Sequence, residues 1–482
     1  MYSIAIVGGE PDYLAALPDY INYRSLSPDG RTIAGFGRKE GGKYQLWISS
    51  PLGSPFREYT PTPFATTALY SGTVVAFSPD GKKILLIRTG DSDNEEAWLV
   101  PFPSGTPRQV FTGLPPKRHQ EGLSWMPDSR HVAISLAFMD PSHRPHLWML
   151  DTESNDARQI TNGTDDQYSV AASPDGRRLV YSEDKRDLDI VNVSLKDGAI
   201  SRLIATDVSE RMPAWSLHSP KLVYITDRSG TMEIWLRTSD AQDRPLVTPQ
   251  TFYDGRTRFI MNPALSPNGE TVLFSRENEL GEMRTWVMPL ATDFPQRLNE
   301  SANDSEYAAD WSADGTRVVE IATVGGSENL AIVKVGSREK PVILRENVCS
   351  YLPSWSPTAE WITFGDKTGW NLISPDGKTV KPLGDKLATW YLVFSRDGKL
   401  LYGIRYDGAK RILFSLDVAT KAIHDIRDVG KEFTPACDYS PSIRYTLTPD
   451  GASMTYAVST SKSDLWLLEG FRPPGWFARL FR

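Results

Sequence analysis

One phrase returns along the chain at near-regular intervals. It reads "SLSPDG" at 25–30, "AFSPDG" at 76–81 and "AASPDG" at 171–176. A repeat of fixed period constrains folding more than any composition does, because each copy must become the same small structural unit. Alignment on the residue before Pro-Asp-Gly, or before its replacement, gives ten positions: Ser27, Ser78, Met126, Ser173, Ser216, Ser266, Ser312, Ser356, Ser395 and Thr448. Nine intervals cover 421 residues, an average of about 47, the length of a four-stranded propeller blade.

Each unit reads alike. A short apolar stretch runs into the corner, where Pro presets φ, Asp bonds nearby backbone and Gly accepts positive φ. A strand such as "RRLVYSED" or "TVLFSRE" follows, then a polar loop. A third strand carries Trp47, Trp98, Trp148, Trp235, Trp286 or Trp466, and a short segment with Arg and Thr ends the unit. No ten-residue helical pattern intervenes. The load of 14 Trp, 19 Tyr and 18 Phe suits packed strands. A further "SPDG" at 374–377 follows "NLI" and reads as a hairpin between third and fourth strands.

The expected fold is therefore all-β: a β-propeller of four-stranded antiparallel blades with about ten repeats, in one large ring or two smaller ones. Residues 20–470 form the array, with a break near 240–260 if there are two rings. The last unit offers "YTLTPDG", "SMTYAVS" and "SDLWLLEGF", three strands without a clear fourth. The N-terminal region 1–19 carries "YSIAIV", a spare strand expected to close the last blade and hide both edges. Residues 471–482 are a basic, aromatic tail, read as a loose end or as a contact with a membrane surface or partner.

The stretches "PAWS…KLVYITDRSGTMEIWL" and "AASPDGRRLVYSEDKRDLDIVNV" resemble the WD40-like (PD40) repeats of TolB-type propellers. The ending "SDLWLLEGF" looks like the last blade of propellers at the C-terminus of bacterial membrane-anchored Ser/Thr kinases and winged-helix regulators. The resemblance implies a sensory or interaction module of a larger signalling protein, monomeric in itself, and brings no catalytic residues. It implies an extracytoplasmic setting for a fragment of a membrane-anchored protein, and a cytoplasmic one otherwise.

Net charge −7 argues against nucleic acid as a partner. No apolar run is long enough to span a membrane as a helix. Cys349 and Cys437 are expected as unpaired thiols. A hydrolase would need a Gly-x-Ser-x-Gly elbow, which is absent. The kinase-like "RDLDIVN" at 186–192 has Lys185 where His is required and reads as loop and strand. His143 and His146 are close in sequence, and "GDSDNEE" at 90–96 places Asp91 beside Asp93; both are weak metal candidates, and a solvated loop is the plainer reading of each. No cofactor is expected.

The large residue before each aligned position (Phe77, Trp125, Trp215, Leu265, Trp311, Trp355, Phe394, Leu447) is expected to fill the space between blades. Five residues before the aligned position the side chains differ from blade to blade. Glu121, Tyr168, Arg211, Tyr307, Tyr351 and Trp390 are the channel-facing candidates to bind a protein, peptide or glycan. The alternative is a propeller-type enzyme, a polysaccharide lyase or glycan hydrolase, working through converging carboxylates in the channel.

Overall fold

The recurring corner is a hydrogen-bonded turn. In a computed structural model of the chain, Ser27 Oγ donates to Asp29 Oδ1 (2.5 Å) and accepts from Thr32 N (2.9 Å); Asp29 accepts from Arg31 N (3.0 Å). Gly30 sits at φ +70°, open to glycine at little cost. The same Ser/Thr-to-Asp bond recurs at Ser78, Ser173, Ser312, Ser395 and Thr448. The Ser312 hydroxyl and backbone N–H groups hold the Asp314 carboxyl down at about 2. Each corner reverses the chain between the first two strands of a sheet.

The structure describes residues 2–3, 12–13, 18, 20–39, 42–66, 73–89, 95–112, 117–138, 145–163, 165–185, 187–238, 242–255, 259–278, 282–299, 305–337, 339–349, 351–384, 387–435, 443–459 and 462–471. Among these there is no α-helix, only short 3-10 turns at Pro249–Thr251 and Lys431–Phe433, and so no helix long and apolar enough to cross a membrane. The chain forms two units, Met1–Lys185 with Lys462–Arg482, and Arg186–Ser461.

In the first unit, three four-stranded antiparallel sheets begin at Ile21–Leu26, Val74–Phe77 and Lys117–Trp125. The fourth sheet pairs Asp166–Ala172 with Arg178–Lys185 and Arg178–Lys185 with Lys462–Glu469. Consecutive first strands are tied by Phe77 N to Ser25 Oγ (3.1 Å), Trp125 Nε1 to Ala76 O (3.2 Å) and Ala172 N to Ser124 Oγ (2.9 Å).

The second unit has six sheets. One is built from both ends of the segment, in the order Ile200–Ile204, Leu188–Ser194, Ser453–Ser459, Thr446–Leu447. The others begin at Glu210–Trp215, Ile260–Leu265, Ser305–Trp311, the Trp355 bridge to Ile362, and Val393–Phe394. Each sheet touches the next. Trp215 N donates to Thr446 Oγ1 (3.1 Å), Ser216 Oγ to Ser266 O (2.9 Å), Trp311 Nε1 to Ala264 O (3.2 Å) and Trp355 N to Asp310 Oδ2 (2.9 Å). Tyr351 meets Trp390 edge-on at 6.2 Å, and Arg396 returns to Leu447 O (2.8 Å). The contacts form a closed cycle. Buried apolar residues of its sheets, among them Val191, Val319, Ile362, Ile404 and Met454, share one core cluster.

The all-β propeller expectation holds, and 374–377 does lie between the third and fourth strands, Gly369–Ile373 and Val380–Gly384. One expectation is corrected. The division falls after Lys185 and after Ser461, not near 240–260, where consecutive sheets of one unit follow each other. Of the N-terminal strand expected to close the last blade, only Tyr2–Ser3 lies within the described residues, and it pairs with Asp12–Tyr13. The last repeat is split instead. Ser453–Ser459 pairs with Leu188–Ser194, and Lys462–Glu469 pairs with Arg178–Lys185. The fourth and tenth repeats exchange halves because their second and third strands have matching length and alternation. Either pairing satisfies the ladder and the pleat.

Candidate functional site

The inner strands of the six-sheet unit enclose a cavity at their corner ends. It has a volume of about 80 Å³ and is lined by residues of all six sheets. The large residues before the corners, including Trp215, Trp311 and Trp355, form much of its wall, so this row lines the hub as well as packing between sheets. Such a volume holds a few water-sized groups. It admits a carboxylate.

Three charged side chains reach the cavity: Asp310, Arg396 and Arg444. Asp310 lies on Ser305–Trp311, two residues before the corner, where the other repeats carry Ser, Ala, Val or Thr. Its Oδ1 accepts from Trp311 N (2.9 Å) and lies 3.4 Å from Arg444 NH2; its Oδ2 accepts from Trp355 N (2.9 Å) and Ser354 Oγ (3.4 Å). The side chain is 24% exposed, but into the narrow hub and not to bulk water. Burial therefore raises its pKa on balance, against the opposing pull of Arg444 and these hydrogen bonds. Arg444, 5% exposed, also donates to Pro263 O (3.1 Å). Arg396 NH2 donates to the carbonyls of Leu447 and Thr448 (both 2.8 Å), and burial lowers its pKa. Tyr391, on the same wall, is pushed up to about 12, chiefly by burial.

Six residues are expected to face the channel: Glu121, Tyr168, Arg211, Tyr307, Tyr351 and Trp390. Four belong to the six-sheet unit. Arg211 is buried, with NH2 3.6 Å from Asp227 Oδ2. Tyr307 is half-buried between two core clusters, which raises its pKa. Tyr351 stacks on Trp370 at 5.2 Å and meets Trp390, which is 42% exposed. Among these four, Tyr351 and Trp390 are brought together. Tyr168 belongs to the other unit, where its hydroxyl donates to Asp166 Oδ2 (2.9 Å). Glu121 lies on Lys117–Trp125, its side chain outside the described residues. None of the four in the six-sheet unit lines the hub cavity.

The reason is local. A β-bulge follows this position in several inner strands, for example between Arg211 and Ala214, between Met261 and Ala264, and between Tyr168 and Ala171. Met212, Asn262 and Ser169 take positive φ there. The extra residue shifts the alternation by one, and three to four residues at about 3.3 Å each separate the bulge from the corner end. Asp310 was legible in the sequence as the one carboxylate in a column of small residues.

Of the metal candidates, His146 opens the strand His146–Asp151 with Nδ1 3.4 Å from Gln167 Oε1. His143, Asp91 and Asp93 lie outside the described residues, as does Cys437. Among the described residues no group of three His, Cys, Asp or Glu side chains could hold a metal. Away from the hub, Glu320 is pushed up to about 8 by burial and by Glu306. Both carboxyls are at 0% exposure, and neither lines the cavity.

Residues 76–306 match the PD40 family, the TolB beta propeller domain. An uncharacterised protein of Agrobacterium fabrum is 22% identical over 54% of this chain and 85% of its own length. Dipeptidyl-peptidase 5 of Porphyromonas gingivalis is 26% identical over 52% of this chain, and the chain spans only 36% of that enzyme. A solved TolB-type structure from Agrobacterium tumefaciens, 17% identical, aligns with 57% of this chain and 98% of its own, at a TM-score of 0.48. The repeated corner, the antiparallel sheets around it and the segment 76–306 that matches the TolB beta propeller domain give this chain TolB-like β-propeller repeats.

Proposed function

We propose that the chain is a binding propeller, a sensory or interaction module. Its six-sheet unit takes a carboxylate-bearing segment of a protein or peptide at the hub. The charge of the cavity carries this reading. Two arginines and one carboxylate face it, and the carboxylate's pKa is raised. The hydrogen bonds of Arg396 go to neutral carbonyls. A partly buried guanidinium whose hydrogen bonds go only to neutral carbonyls is under-compensated, and an incoming carboxylate would relieve that cost. The rest of such a ligand would lie outside the cavity. The likeness to a dipeptidyl-peptidase, of which this chain spans 36%, accords with a peptide ligand.

The test uses Trp215, Trp311 and Trp355 as fluorescent reporters in the cavity wall. Peptides ending in a free carboxylate are titrated beside the same peptides as C-terminal amides. Tighter binding of the free acid, lost by at least tenfold in Arg396→Gln with an unchanged melt, is expected. Equal binding of acid and amide would reject the site.

A further inference from the structure

The hub cavity already holds one carboxyl, so its surroundings decide what a second carboxyl would meet there. Arg444 NH2 lies 3.4 Å from Asp310 Oδ1 and Arg444 NH1 donates to Pro263 O. Arg396 and Tyr391 each interact electrostatically with Asp310, and Asp450 faces Arg396. Tyr391, at about 12, and Tyr445, also pushed up by burial, keep their protons near neutral pH. Among the described residues no further titratable side chain lines the cavity. The neutral groups on Asp310 are Trp311 N, Trp355 N and the Ser354 hydroxyl.

A ligand carboxylate would share a volume of about 80 Å³ with Asp310, so the two carboxyls would stand within a few ångströms of each other. Like charges this close, between walls of Trp, Pro, Ala and Leu, do not both stay ionised without a large cost. The arginines offset part of it. Arg444 is divided between Asp310 and a carbonyl, and Arg396 NH2 is held by the carbonyls of Leu447 and Thr448. A proton on Asp310 removes the repulsion and turns an acceptor into a donor. The Ser354 hydroxyl can rotate from donor to acceptor, which frees Oδ2 to carry that proton. Arg396 Nε and Trp355 Nε1 are buried without a hydrogen-bond partner among the described residues, and both side chains line the cavity. They remain to donate to the ligand.

Resting on the carboxylate reading of the hub, we infer that the cavity binds its ligand together with one proton, which Asp310 takes from solvent and shares with the ligand carboxylate as an O–H···O bond. Burial already favours the protonated form of Asp310. Ligand and proton then favour each other by the same factor. Affinity rises as pH falls and levels off once Asp310 is protonated before the ligand arrives. The hub fills on acidification and empties as pH rises.

Acetate is the probe, read through the fluorescence of Trp215, Trp311 and Trp355 at fixed ionic strength. From pH 8 to pH 6 acetate itself stays ionised, and its association should tighten by about tenfold. Calorimetry in buffers of different ionisation enthalpy should count close to one proton taken up per acetate, and this measurement needs no variant. Asp310→Asn should bind acetate with little pH dependence and no uptake. Asp310→Ser should do the same, with the residue that Ser25, Ser124 and Ser354 supply at this position of other repeats. Acetate binding that ignores pH in the parent, or a pH slope that survives in folded Asp310→Ser, overturns the inference; loss of that binding in Arg396→Gln would then leave the carboxylate reading standing. Acetate that binds at no pH removes both.

Discussion

Glu320 offers the sharpest measurable consequence of the fold. Its Oε2 accepts from Thr285 Oγ1 (3.0 Å) and its Oε1 from Asn299 Nδ2 (3.4 Å). Glu306 is also at 0% exposure and lies 3.8 Å from Arg297. Burial and the neighbouring carboxylate raise Glu320 to about 8, against an ordinary value of 4.5. Between these values the folded chain holds a proton that the unfolded chain releases, so stability must fall as pH rises. The slope approaches about 1.4 kcal/mol per pH unit, and the loss from pH 5 to pH 8 is about 3–4 kcal/mol. Glu320→Gln mimics the protonated side chain, with an amide to give Thr285 a hydrogen bond and an oxygen to accept from Asn299. The variant should therefore gain on the parent with rising pH, by roughly 5–15 °C in Tm at pH 8 relative to pH 5. Thermal melts of both proteins across this range make the comparison, and other titrating groups cancel in the difference. Parallel Tm curves would refute a protonated Glu320.

Two further outcomes follow from the hub and the corners. Arg444→Met strands Asp310 without its cation and should cost about 3–5 kcal/mol; adding Asp310→Asn should recover at least half of that, and simple additivity in denaturant melts would break the pairing argument. Ala359 occupies the corner position that glycine holds elsewhere, at φ +60°, so Ala359→Gly should raise stability by about 0.5–1 kcal/mol, and a lowered melt would show that this corner carries no strain.

Much of the architecture could be read without coordinates. Pro, Asp and Gly act within a few residues of themselves, so the corner and its bonds from Ser27 to Thr448 follow from local chemistry. The period then fixes the unit, and the Trp row fixes its packed face. Pairing between distant repeats is different. Leu188–Ser194 and Lys462–Glu469 are equivalent third strands, and nothing local says that each joins the other's repeat. Only the tertiary structure chose, and by that choice it set six sheets about the hub and four in the other unit. The site followed the same rule. Asp310 and Arg444 lie 134 positions apart, and their encounter depends on which strands turn inward, while bulges such as those at Met212 and Asn262 carried the expected channel residues away from the cavity. Sequence dictates what each short segment can do with its own backbone; which equivalent segments meet is decided by the summed packing of the whole array.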